Sequence, residues 1–185
     1  MGRNYSDLRL DVYNPDAYPQ ELMLMRTIVT AKTVFSSPVH FLAFGFGSGL
    51  SPFAPGTAGT LAAIPLYLLL VQLPFWGYVA VLLAMSLAGI WICGESSRRL
   101  GVHDHGGIVW DEFAGYLLTM LAAPAGWVWI VVGFFLFRLF DIWKPWPIHL
   151  VDRDVPGGFG IMFDDILAGV YAWFALQGLA RLFGA

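Results

Sequence analysis

Five carboxylates and two cations are the residues best placed to do chemistry. Asp111, Glu112, Asp141, Asp164 and Asp165 all stand beside apolar runs, in a chain whose charged fraction is only 12%. Ionisable groups at such boundaries are costly to keep and tend to be functional. Carboxylate oxygens suit Mg²⁺, which retains waters and binds phosphate oxygens. Arg138, Asp141 and Lys144 recur at i, i+3 and i+6, so they share one helix face. On that face one acid can hold metal while two cations hold a phosphate. Each pattern has a plainer reading. Asp164 and Asp165 also suit a helix N-terminus, where negative charge complements the dipole. Arg138 and Asp141 also suit a structural ion pair. Asp152, Arg153 and Asp154 read as a solvated loop, with Arg153 its candidate phosphate contact.

Two loops add candidates. His103-Asp104-His105 is followed by Gly106-Gly107. His105 there is a candidate general acid for a leaving alkoxide, and Asp104 a candidate metal ligand or nucleophile. An ordinary surface loop is the alternative. The stretch from Gly45 to Thr60 holds Gly45, Gly47, Gly49, Gly56 and Gly59. Glycines there permit tight turns and close approach of backbone N–H groups to an anion. Ser51 and Thr57 are its candidate phosphate contacts, and Thr57 or Thr60 its candidate helix cap. No Gly-Lys-Ser/Thr follows, so it is not a Walker loop, and its spacing is not that of a dinucleotide fold. A glycine-rich packing loop is the alternative. His40 reads as structural, and His149 as a phosphate or headgroup contact. Trp143 and Trp146 fit an interfacial aromatic belt.

One repetition links two of the acid pairs. Ile108-Val109-Trp110-Asp111-Glu112 precedes Gly115, and Ile161-Met162-Phe163-Asp164-Asp165 precedes Gly169. Two helices packed through those glycines bring both pairs together, as a two-metal site requires. Chance similarity is the other explanation.

The elements that must position these groups are apolar. Hydrophobic residues make up 58% of the chain, and the mean hydropathy is +0.67. No Asp, Glu, Lys or Arg occurs between Lys32 and Glu95, a run of roughly 60 residues that accommodates two spans of about 20. These features predict an all-α, polytopic membrane bundle with about four spans or hairpin arms plus short interfacial helices. Residues 1–32 read as a polar tail with a short interfacial helix from Leu22 to Lys32. They do not have the pattern of a cleaved signal peptide. Residues 33–185 read as one membrane-embedded domain. The expected spans are Ala58–Leu73 and Phe75–Cys93, a hairpin from Phe113 to Phe137 broken at Ala123-Pro124-Ala125-Gly126, and Ile166–Phe183. Arg98 and Arg99 assign the end of the second span to the cytoplasmic side. All five polar clusters then fall on that face. A net charge of -3 gives no nucleic-acid signal. Cys93, the single cysteine, reads as a buried structural thiol.

The glycine-rich segment with Pro55-Gly56-Thr57, the His103–Glu112 segment, Arg138 through Pro147, and Gly157-Gly158 with Asp164-Asp165 together resemble the bacterial phosphatidylglycerophosphatase A family. The resemblance runs from about Pro38 to Phe183. It implies an all-helical enzyme of the bacterial inner membrane, with its site on the cytoplasmic face. It implies the removal of the terminal phosphate of phosphatidylglycerophosphate and dependence on Mg²⁺. The family motifs carry over to Asp104, Asp111, Glu112, Arg138, Asp141, Lys144, Asp164 and Asp165. A metal-activated water is the expected nucleophile and an Asp104 phosphoenzyme the alternative. The tail does not fit the family pattern. Two rivals remain at this level: a different lipid-modifying enzyme, and a transporter. The residue arrays of phosphatidyltransferases and of the other large lipid phosphatase family are absent, and transporters place polar groups at mid-bilayer rather than at span ends.

Overall fold

The computed structural model describes residues 29–102 and 105–184. Among them are eight α-helices, one 3-10 segment and no strand. Helices α1 (Ala31–Phe35) and α2 (Pro38–Ala43) are short and capped by Thr30 and Ser37. The 3-10 segment Gly45–Leu50 follows, then α3 (Pro55–Leu70), α4 (Phe75–Leu100), α5 (Trp110–Thr119), α6 (Trp127–Trp143), α7 (Ile148–Asp154) and α8 (Gly157–Leu182).

Helix α8 is the axis. It packs against α4, α5, α6 and α7, while α5 also meets α3, α4 and α6. The short α5 is buried on nearly every side, from Trp110 to Thr119. A helix that is covered all round needs its free ends answered from outside. Trp173 Nε1 donates to Leu121 O at 2.8 Å, and Gln177 Nε2 to Leu121 O and Ala122 O at 3.1 Å each. Tyr78 of α4 donates its hydroxyl to Leu117 O at 2.7 Å. These bonds hold the C-terminal end of α5 in place inside the bundle.

Length separates the helices. Helices α4 and α8 have 26 residues each and are long and apolar enough to cross a membrane. Helices α3, α5 and α6 have 16, 10 and 17 residues. Among the described residues the all-helical expectation holds, two helices have the length of a full span, and the other apolar helices are shorter. Helix α3 is shifted rather than shortened against the expected Ala58–Leu73, because Pro55 opens it earlier and it ends before Gln72 to Pro74. The break before Gly126 splits the Phe113–Phe137 run into unequal arms. Helix α4 runs on beyond the expected apolar span Phe75–Cys93. Glu95 pairs with Arg98 and Arg99 at 2.8 and 2.7 Å, so these charges ride on the helix to Leu100.

Two smaller expectations meet the structure directly. Cys93 is buried. His40 is buried, with Nδ1 at 2.8 Å from Ser96 Oγ. Burial lowers its pKa, Arg99 lowers it further, and Glu95 works the other way.

Candidate active site

The first turn of α5 carries Asp111 and Glu112, and the third turn of α8 carries Asp164 and Asp165. What brings them together is a glycine contact. A Cβ on Gly169 would sit 2.6 Å from Gly115 O, and one on Gly115 would sit 2.8 Å from Asp165 O. The two backbones touch, as the repeated sequence pattern predicts. Asp111, Glu112 and Asp165 can each turn one carboxylate oxygen into a space where all three lie within 4.8 Å of one another.

Arg138 reaches this group from α6. Its Nη1 lies 2.5 Å from Asp141 Oδ2 and 3.8 Å from Glu112 Oε1. The first turn of α3 comes against the same pair. A Cβ on Gly56 would overlap Glu112 Oε1 and lie 3.0 Å from Arg138 Nη1, so any larger residue there must displace one of these two side chains. The free N–H groups at that helix end favour an anion.

Lys144 ends α6 in a left-handed conformation, φ 43°. Its Nζ donates to Asp164 Oδ2 at 2.7 Å and to Asp152 Oδ1 at 2.5 Å. Partial burial opposes the charge on Lys144, but Asp164 and Asp152 outweigh it and raise the pKa above the ordinary lysine value. The turn after Lys144 is fixed by Tyr171, which donates to Trp146 O at 3.1 Å. Helix α7 then returns Asp152 to the lysine. Asp152, expected in a solvated loop, is therefore part of the site's rim. Its signal in the sequence is the Pro145-Trp146-Pro147 turn, which reverses the chain.

Several buried polar atoms here have no hydrogen-bond partner: Glu112 Oε2, Asp164 Oδ1, Asp165 Oδ2 and Arg138 Nε. Buried polar groups are ordinarily satisfied. A cluster of buried, unanswered carboxylate oxygens is the donor set that a hard divalent cation takes. The residues therefore fit Mg²⁺.

The remaining candidates fall elsewhere or differ in detail. Ser51 and His105 line a hollow of about 370 Å³ with Pro55 and Gly107. His105 Nδ1 accepts from Gly107 N–H at 3.0 Å, so the neutral ring carries its proton on Nε2. Pro55 of this hollow precedes Gly56, which lies against Glu112 and Arg138. Ser51 donates to Phe53 O at 2.7 Å. Thr57 lies beside Arg138 in a second hollow. Neither Thr57 nor Thr60 caps α3: Ala54 precedes its first residue and Thr60 donates to Gly56 O at 2.9 Å. The cap expectation fails because Pro55 opens the helix before either threonine. Arg153 is exposed and paired with Asp154 at 2.7 Å. His149 is exposed. Asp104 and His103, and most of the expected tail helix, lie outside the described residues.

A family model described as Phosphatidylglycerophosphatase A matches residues 41–180. The chain belongs to the phosphatidylglycerophosphatase A family. It is 49% identical over 146 residues to the Escherichia coli protein of that name, covering 78% of this chain and 85% of the relative. It is 47% identical over 138 residues to the Haemophilus influenzae protein of the same name, covering 74% and 85%. A Bacteroides thetaiotaomicron relative, 44% identical over 148 residues and covered to 89%, with 74% of this chain aligned, carries the provisional name phosphatidylinositol-3-phosphatase. No solved structure matches. Membership of this family makes the chain a phosphatase, and every acid and cation described above except those outside 41–180 falls within the matched segment.

Proposed function

We propose that this phosphatase removes the terminal phosphate of phosphatidylglycerophosphate, leaving phosphatidylglycerol for phospholipid biosynthesis, and that it works embedded in the bacterial inner membrane. The observation that carries the chemistry is the convergence of Asp111, Glu112 and Asp165 within 4.8 Å beside Arg138. Large apolar side chains exposed on the outer surface support the membrane setting, among them Trp76 at 77%, Leu87 at 68% and Phe174 at 65%.

Asp111, Glu112 and Asp165 would hold Mg²⁺, and Asp141 would hold Arg138 in line with it. Bound there, the ion would supply charge to neutralise the phosphate and to acidify a water. The N–H groups opening α3 and the Arg138 guanidinium bind the equatorial phosphate oxygens, whose charge grows in a loose transition state. A carboxylate oxygen of this acid group that does not hold the ion takes a proton from the attacking water. The water oxygen bonds to phosphorus as the bond to the glycerol oxygen breaks. His105, carrying its proton on Nε2, donates to the departing alkoxide. Lys144 acts through Asp164, which it fixes at the mouth of the site. Asp104 as nucleophile is the competing route. Residues 33–185 serve as one domain, with the active face toward the cytoplasm.

The test is phosphate release by the purified protein in detergent, with Mg²⁺ and with chelator, alongside folded Asp111→Asn. Phosphatidylinositol 3-phosphate is offered as a competing substrate. Release that needs both the metal and Asp111 is expected. Release that survives chelation removes the metal from the mechanism. Preference for the phosphoinositide reassigns the substrate, and no release from any lipid phosphate ends the proposal.

A further inference from the structure

A groove of about 700 Å³ begins at Arg138 and Thr57 and runs along the outer face of α6. That volume lies within the usual range of ligand pockets, roughly 300–1,000 Å³, which are mostly apolar with a few placed polar groups. Phe135, Leu139 and Ile142 follow one another at i, i+4 and i+7 and form its floor, with Trp143 at one end. They are left open, Phe135 at 66% and Ile142 at 71% exposure. At the polar end Arg138 Nε is buried without a hydrogen-bond partner. The groove is therefore a cationic head joined to an oily channel.

We infer that this groove seats an acyl chain of the lipid substrate, so that the enzyme selects phosphate monoesters that carry a long chain. The inference rests on the proposed lipid phosphatase activity and names the part of the substrate that the site reads besides phosphate. Charge complementarity selects the occupant. A lipid whose phosphate lies at Arg138 has its chains a few bonds away, and this groove starts at Arg138. A second groove, about 310 Å³ between α4 and α8, is lined by Leu83, Leu87, Phe163 and other apolar residues with no charged side chain. It offers chain contacts but no partner for a phosphate.

Two measurements test this. In the first, kcat/KM is measured for long-chain and very short-chain forms of the same phosphate monoester, in the wild type, in Leu139→Trp and in Leu87→Trp. Leu139→Trp fills the α6 groove and should lower the long-to-short ratio about tenfold, mainly through KM. Leu87→Trp, in the other groove, should keep the ratio. An unchanged ratio in Leu139→Trp, or a matching fall in Leu87→Trp, overturns the inference. In the second, wild-type protein is irradiated with a long-chain phosphate monoester bearing a photoreactive group in its acyl chain. Label on the Phe134–Trp143 segment supports the groove, and label on α4 and α8 alone overturns it. Should no lipid be hydrolysed, the activity proposal falls by itself and the labelling still decides the groove.

Discussion

Arg138 holds two acids at once, Asp141 at 2.5 Å and Glu112 at 3.8 Å, from a side chain that is almost wholly covered. A planar guanidinium can span two partners and a phosphate, whereas an ammonium is a single point charge. Arg138→Lys should therefore lower kcat about a hundredfold while leaving the fold intact, as measured by phosphate release and circular dichroism. Asp165 sits deeper, at 3% exposure, and meets the backbone of α5. Asp165→Asn should weaken divalent-ion binding at least about tenfold, read by Mn²⁺ titration in the absence of substrate. At this scale the residue types were legible in the sequence and their partners were not. Lys144 was read as a phosphate contact from its spacing to Arg138. The structure pairs it with Asp164 and Asp152 from a left-handed cap position, partners that the spacing does not reveal.

Among the elements, the crossing of α5 and α8 sets the geometry of the acids. Its contact admits no extra atom at Gly169, where the next backbone oxygen lies 2.6 Å from a would-be Cβ. Gly169→Ala should destabilise the protein by about 1–3 kcal/mol and cut activity further than that loss alone explains, because it moves Asp165 from Asp111 and Glu112. Thermal unfolding in detergent and phosphate release on the surviving folded fraction separate the two effects. Ala54, just before α3, holds φ 45°. Ala54→Gly should gain about 1 kcal/mol in the same unfolding assay by relieving left-handed strain. The α5–α8 crossing was legible because the pattern of apolar residues, two acids and a glycine occurs twice. The start of α3 was not, since a proline and a left-handed alanine, rather than a threonine cap, set the first turn.

Over the whole molecule, the acid pairs, Arg138, Lys144 and the opening of α3 lie at one end of the bundle. Gly94 of α4 meets Gly158 of α8, so the charged last turns of α4 stand at that same end. The charge-free run made the apolar scaffold legible, but not how many helices span it. Helix ends depend on turns and on burial against α8, which hydropathy does not record. A cysteine placed at exposed Arg153 tests the proposed orientation, because the native Cys93 is buried and gives no background. Arg153→Cys should react with an impermeant thiol reagent in inside-out vesicles and stay unlabelled in intact cells.

Helices α4 and α8, at 26 residues, are each about 39 Å long, against an apolar slab of about 30 Å. Asp164 and Asp165 belong to the same continuous helix that is proposed to cross the membrane, with no break between them and the rest of it. A bilayer of different thickness must then tilt or shift that helix, and the acids move with it relative to the plane in which substrate phosphates lie. Turnover in reconstituted bilayers should therefore peak at one host-lipid chain length and fall on both sides, which makes the thickness of the surrounding membrane a setting of the enzyme's rate.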